Sequence, residues 1–218
     1  QEPPSTDSSP RRDEITRLRR QKVDRPVVFV GAGTCGLGAG AGKVLAAVRQ
    51  YLQVGQIDAD VVEVGCIGLC AAEPMLDIQL PGRTRVSFGS VQADQVEALL
   101  GGVLSGQVPA AQVLGQFRPD DGQQAWETLP YLDEHPFFAP QTRWVLANCG
   151  VIDPSRIEEY IARGGYRAFT AVISTRTPAE VCQAVEQSGL RGRGGGGFAT
   201  GTKWKYALAT PSEIKYLV

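Results

Sequence analysis

Residues 189–204 read GLRGRGGGGFATGTKW, and seven of these sixteen residues are glycine, with two arginines and a lysine set among them. A run so poor in side chains cannot build a core. It puts bare amides beside fixed positive charge, and glycine lets the chain adopt positive φ and lets a ligand approach the backbone closely. Converging N–H groups, followed by a helix N-terminus, make a phosphate cradle. Two familiar glycine signatures fit poorly. Gly192-x-Gly194-x-x-Gly197 satisfies G-x-G-x-x-G, but a helix-like segment precedes it where a dinucleotide fingerprint needs a strand. The P-loop requires Gly-Lys-Ser/Thr, whereas Gly197 precedes Phe198 and Gly201 precedes Thr202. A flexible linker would be richer in serine and would lack interleaved arginine and aromatic residues.

The 218-residue chain has room for one or two domains, and 43% hydrophobic content suits a packed globular protein. Net charge is −1, which gives no reason to expect a nucleic-acid partner. No apolar run approaches the ~18 residues of a membrane span. Five cysteines, an odd number, argue against a disulfide framework and for a reducing compartment, so a cytoplasmic location is expected. The chain starts at Gln1 without methionine and stops in a strand-like run, Ile214 to Val218, so a processed or incompletely covered chain is expected.

Residues 1–24 hold Pro3, Pro4 and the basic run Arg11 to Arg20, and read as a solvated tail or exposed helix whose arginines could meet a partner subunit. Next, strand candidates Val27–Val30, Val61–Val64, Met75–Leu80 and Arg85–Phe88 alternate with a helix carrying Val44, Leu45, Val48 and Leu52. A second helix spans Ala93–Leu104. The order β-α-β-β-β-α over residues 25–106 predicts a small α/β domain, with a thioredoxin-like layout as the natural candidate. Cys66-Ile-Gly-Leu-Cys70 follows the second strand, and two soft thiolates in a glycine-relieved loop can bind one iron. Residues 107–140 read as a short helix, Ala110 to Phe117, and a linker carrying aromatics and the sole histidine, His135, read as a surface residue.

From residue 141 onward, Asp153 and Pro154 open a helix with Ile157, Tyr160 and Ile161 on its apolar face, and Gly164-Gly165 stops it. Thr177-Pro178-Ala179-Glu180 is a capping box opening a helix with Val181, Cys182 and Val185 inward. Cys149 reads as packing. A last helix from about Thr200 carries Lys203 and Tyr206.

The loop resembles the flavin and NADH loop of the flavoprotein subunit of respiratory complex I, and of the related diaphorase subunits of NAD-linked hydrogenases and formate dehydrogenases. The family pattern is roughly GLRGRGGAGFPTGxKW. Gly196 replaces an alanine and Ala199 a proline. The words QTRWVLANCGVIDPSRIEEYIARGGY, from Gln141, resemble the same family. The resemblance implies an α/β chain with a thioredoxin-like N-terminal domain, followed by the start of a flavoprotein α/β domain over residues 141–218. It implies that Gly192, Gly194, Gly195 and Lys203 hold the FMN phosphate, that Arg193 and Gly197 complete the cofactor set, and that Phe198 and Tyr206 flank NAD(H). No side-chain acid or base is expected, since the flavin carries the hydride chemistry.

Cys66-Ile-Gly-Leu-Cys70 with Ala-Ala-Glu-Pro also resembles the second cysteine pair of thioredoxin-like 2Fe-2S ferredoxins. Their first pair is spaced C-x4-C. Here that loop offers only Cys35, with Val30 and Gly40 where a partner would stand, giving Cys35, Cys66 and Cys70 as candidate metal ligands. A 2Fe-2S centre, a docking domain that has lost its cluster, and two buried thiols all remain open. The acidic residues and the 4Fe-4S cluster that the family carries after this loop would lie beyond Val218, so the chain alone is not expected to turn over NADH. The implied partners are other subunits of a hydrogenase, formate dehydrogenase or complex I-like assembly, including a ferredoxin-like iron-sulfur subunit. A non-redox assembly module and a nucleotide-binding regulatory domain are the competing readings.

Overall fold

A computed structural model describes residues 9–216, and the chain divides into two compact units, residues 1–163 and 164–218. In the first unit the element order is α1 (Ser9–Leu18), β1 (Val27–Gly31), α2 (Thr34–Ala39), α3 (Ala41–Val54), β2 (Asp60–Val64), β3 (Leu76–Gln79), β4 (Val86–Phe88), α4 (Val96–Leu104), β5 (Val113–Gln116) and α5 (Ile157–Ala162). The sheet order is β2-β1-β3-β4-β5, with β1 and β2 parallel and every other pairing antiparallel. A parallel βαβ unit joined to an antiparallel hairpin is the expected thioredoxin-like layout.

The register explains how the two faces of the sheet differ. Val28 pairs with Ile78 and Ile78 with Val86, and these side chains share one face with Val30, Leu76 and Phe88. That face takes Val44, Val48 and Leu52 of α3 and Leu99, Leu100 and Val103 of α4, which recur at helical spacing. The opposite face is mixed. Phe29 sits opposite Asp77, and Asp77 opposite Ser87, so polar residues occupy the centre of this face and are buried there.

Arg85 answers them. Its Nε donates to Asp77 Oδ2 at 2.7 Å, its guanidinium lies 3.6 Å from the centroid of the Phe29 ring, and another nitrogen donates to the Gly150 carbonyl at 2.7 Å. Residues near 150 are thereby pinned to the sheet. Burial lowers the pKa of Arg85, against the opposing pull of Asp77.

Four sequence expectations change. Residues 113–116 form β5 in place of a helix, because Val113 and Gln116 complete hydrogen-bonded pairs with β4. Gln116 is buried, bonding Thr84 Oγ1, Trp126 N and the Trp126 and Leu129 carbonyls. The Asp153 carboxylate accepts from Ser155 N and Oγ, a local turn that delays the helix to Ile157. In α5 the buried residues are Glu159 and Ala162, while Ile157, Tyr160 and Ile161 are exposed. Glu159 is held by Arg20 at 2.8 Å and by the Asp153 amide at 2.8 Å, a charged anchor that periodicity does not announce. The arginines at the end of α1 accordingly bind this unit. Arg20 pairs with Glu159, and Arg19 Nε donates to the Ala162 carbonyl at 2.7 Å.

Among its described residues the second unit is helical, with α6 (Arg167–Thr175), α7 (Pro178–Gln187) and α8 (Thr200–Ala209). The sequence reading did not anticipate α6. The capping box of α7 forms as expected, with Glu180 N donating to Thr177 Oγ1 and Thr177 N to Glu180 Oε2. Cys182 is buried in α7. Residues 214–216 join no strand, and the rest of the strand-like run, through Val218, lies outside the described residues, as do Pro3 and Pro4.

Candidate functional site

The glycine loop joins α7 to α8 and is closed at its neck. Arg191 and Ala199 form an antiparallel bridge, Gly192 N donates to the Phe198 carbonyl at 2.9 Å, and Thr200 N to the Leu190 carbonyl at 3.0 Å. Arg191 also donates to the Gly197 carbonyl at 3.0 Å. Inside this neck, the N–H groups of Gly194, Gly195 and Gly196 find no acceptor among the described residues. Gly195 has φ +114°, a conformation that side chains rarely tolerate. A Cβ at Gly194, Gly195, Gly196 or Gly197 would meet no atom within 4 Å, so the space around these residues is open to a ligand.

The loop feeds directly into α8, whose N-cap, Ala199, has no side chain to cap the first amides. Lys203 stands in the first turn of α8 and Tyr206 one turn on, both exposed. Arg193 is exposed on the loop, and neither it nor Lys203 forms an ion pair among the described residues. Phe198 is 55% exposed. The candidate set Gly192, Arg193, Gly194, Gly195, Gly197, Phe198, Lys203 and Tyr206 thus falls on one short loop and the first two turns of one helix. Free amides, two unpaired cations and a helix N-terminus suit the phosphate of a nucleotide such as FMN.

The thiols form a second cluster, in the first unit. Cys66 Sγ and Cys70 Sγ are 3.7 Å apart, and Gly68 N donates to Cys66 Sγ at 3.2 Å. Two sulfurs at about 2.3 Å from one tetrahedral metal stand about 3.8 Å apart, so the pair matches one such ion. Burial raises the Cys66 pKa, and burial likewise raises that of the neighbouring Glu73, whose Oε2 accepts from the Met75 amide at 2.9 Å. Cys35 lies near the start of α2 and is exposed. Among the described residues no group of three His, Cys, Asp or Glu side chains is gathered closely enough to hold an ion. Cys66 and Cys70 come together, and Cys35 does not join them in one group.

The residues missed by the sequence reading are Glu159, Arg20 and Arg163, which gather near Arg85. Their only sequence signal was charge inside segments of otherwise helical pattern.

Comparison with known proteins gives partial likenesses. No family model matches the chain. Over 78 residues, 36% of this chain, it is 53% identical to the HndC subunit of the NADP-reducing hydrogenase of Solidesulfovibrio fructosivorans. Over 73 residues, 34% of this chain, it is 42% identical to an F-type subunit of the NADH-quinone oxidoreductase of Rhizobium meliloti. These matches cover 16% and 17% of the relatives' lengths, so the chain spans a small part of the proteins it is similar to. A thioredoxin-like [2Fe-2S] ferredoxin from Aquifex aeolicus overlays 45% of the chain and 98% of its own, at 19% identity and a TM-score of 0.37.

Proposed function

We propose that this chain is part of an NADH-oxidising or NAD-reducing flavoprotein subunit, of NAD(P)H dehydrogenase or diaphorase type, that passes electrons between NAD(H), FMN and iron-sulfur clusters in a multisubunit redox complex. The observation that carries the reading is the closed loop 189–204, with its unbonded amides and the open space around its glycines, leading into α8. The amides of Gly194 and Gly195, with Lys203, hold the flavin phosphate. Arg193 adds a second positive charge at the rim. Phe198 and Tyr206, both exposed, offer flat apolar faces for the nicotinamide nucleotide. Bound FMN supplies the exchange between two-electron hydride and one-electron carriers. The chain's own residues position and neutralise; none is assigned as acid or base.

On this reading the electron carriers beyond the flavin are a 4Fe-4S centre in the later part of such a flavoprotein subunit and the clusters of other subunits of a hydrogenase, formate dehydrogenase or complex I-like assembly, including a ferredoxin-like iron-sulfur subunit. Residues 25–106 act as the thioredoxin-like domain and 141–218 as the start of the FMN/NADH domain. For the first unit a docking role is favoured by a specific observation, namely that only two of its three candidate thiols come together. No helix among the described residues is long and apolar enough to cross a membrane, and a cytoplasmic site on a larger complex is part of the proposal.

The test is the optical spectrum of the protein purified with its assembly. A flavin absorption band that bleaches on addition of NADH supports the reading, and a colourless protein that binds NADH without a flavin contradicts it.

A further inference from the structure

Five arginines, Arg19, Arg20, Arg85, Arg118 and Arg163, line one cavity of about 70 Å³ in the first unit, and Asp120 is the one acidic residue in its lining. The cavity lies on the mixed face of the sheet, beside Phe29 and Gln79. Three of these cations are already matched. Arg85 pairs with Asp77, Arg20 with Glu159, and Arg118 with Asp133 and Glu134 at the surface. Arg19 and Arg163 have no carboxylate within ion-pair distance among the described residues. They bond to each other's backbone surroundings instead, Arg163 donating to the Arg19 carbonyl at 3.0 Å and Arg19 to the Ala162 carbonyl at 2.7 Å.

Two like charges held together in a partly buried place repel, and taking them out of water adds to the cost. Burial, and after it the charge of Arg19, lower the pKa of Arg163. The Nε–H of Arg20 and of Arg163 are buried without a hydrogen-bond acceptor. Of the buried and half-buried charges around the cavity, Arg19, Arg20, Arg85 and Arg163 stand against Asp77 and Glu159, leaving two positive charges in excess. What this place lacks is a small, fully ionised acceptor.

We propose that the cavity between Arg19, Arg20, Arg85 and Arg163 is a binding site for a free tetrahedral oxyanion of the phosphate or sulfate class. Planar guanidinium forks match such oxygens geometrically and remain charged at any physiological pH. The volume exceeds the ~10–15 Å³ that one water needs and suits a single oxyanion better than a nucleotide. An anion here ties the end of α1, the end of α5 and the sheet into one charged cluster. The site is separate from the glycine loop, and nothing in the flavin proposal is needed for it.

Calorimetric titration of inorganic phosphate into the full chain, at low ionic strength in a buffer free of other oxyanions, tests it. A saturable site is expected that is weakened at least tenfold in Arg163→Gln and in Arg19→Gln and is unchanged in Lys203→Met, which alters the glycine loop instead, with phosphate raising the melting temperature of the unaltered protein more than that of either arginine variant. Circular dichroism of both variants establishes that they fold, and either folded variant alone decides the matter. Absence of a saturable site that the arginine variants weaken, or equal affinity in a folded arginine variant, overturns the proposal.

Discussion

Gly201 of α8 lies against the backbone of Glu186 in α7, so closely that a Cβ at residue 201 would collide with the Glu186 Cα. This crossing sets where the glycine loop begins and ends. Gly201→Ala must push the helices apart, and overpacking of this kind costs about 1–3 kcal/mol. Urea denaturation followed by helical circular dichroism should show the loss, whereas unchanged stability would mean that the two helices are not in contact.

The start of α7 gives a pH signature. The amide and hydroxyl of Thr177 hydrogen-bond the Glu180 carboxylate and hold its pKa below the ordinary carboxylate value. A folded pKa below the unfolded one means that the contribution is present above the unfolded value and fades as pH falls through the folded value. Stability of the second unit should therefore decline below about pH 4.3, and Glu180→Gln should flatten that decline. Thr177→Ala should cost about 1 kcal/mol at neutral pH. Denaturant midpoints measured across pH 3 to 7, roughly the span of carboxylate titration, check both.

In the first unit, Arg85→Ala leaves Asp77 buried beside Phe29 with its cation gone. Breaking a buried pair from one side costs about 3–5 kcal/mol. Replacing both partners, as Arg85→Met with Asp77→Leu, should cost markedly less than the single change when both are followed by urea denaturation. Equal losses in the single and double variants would show that the cost lies in the lost bond from Arg85 to the Gly150 carbonyl and not in an unpaired Asp77.

The sheet was legible because its strands are short apolar runs and its helices carry strict periodic stripes, Val44, Val48 and Leu52 among them. The capping box was equally plain, since Thr177 and Glu180 stand at the one spacing that permits reciprocal bonds. By contrast, β5 was hidden because Val113–Gln116 is only four residues long and owes its strand form to β4 rather than to its own pattern. In α5 the apolar residues face outward and a glutamate faces inward, because Arg20 supplies a counter-charge from far along the chain. Local periodicity cannot report a partner 139 residues away. The glycine loop was recognisable by composition, yet its closed neck, made by Arg191, Gly192 and Thr200, comes from backbone bonds that composition does not encode.

The central claim is that the glycine loop holds the phosphate of FMN, and the most direct measurement is the flavin content of the assembled protein carrying Gly195→Val or Lys203→Met. At φ +114° a valine is strained and its side chain occupies the open space beside the loop amides, while Lys203→Met removes charge without removing bulk. Both variants should lose most of their flavin while keeping the helical signal of the second unit. Full flavin occupancy in both folded variants would contradict the claim.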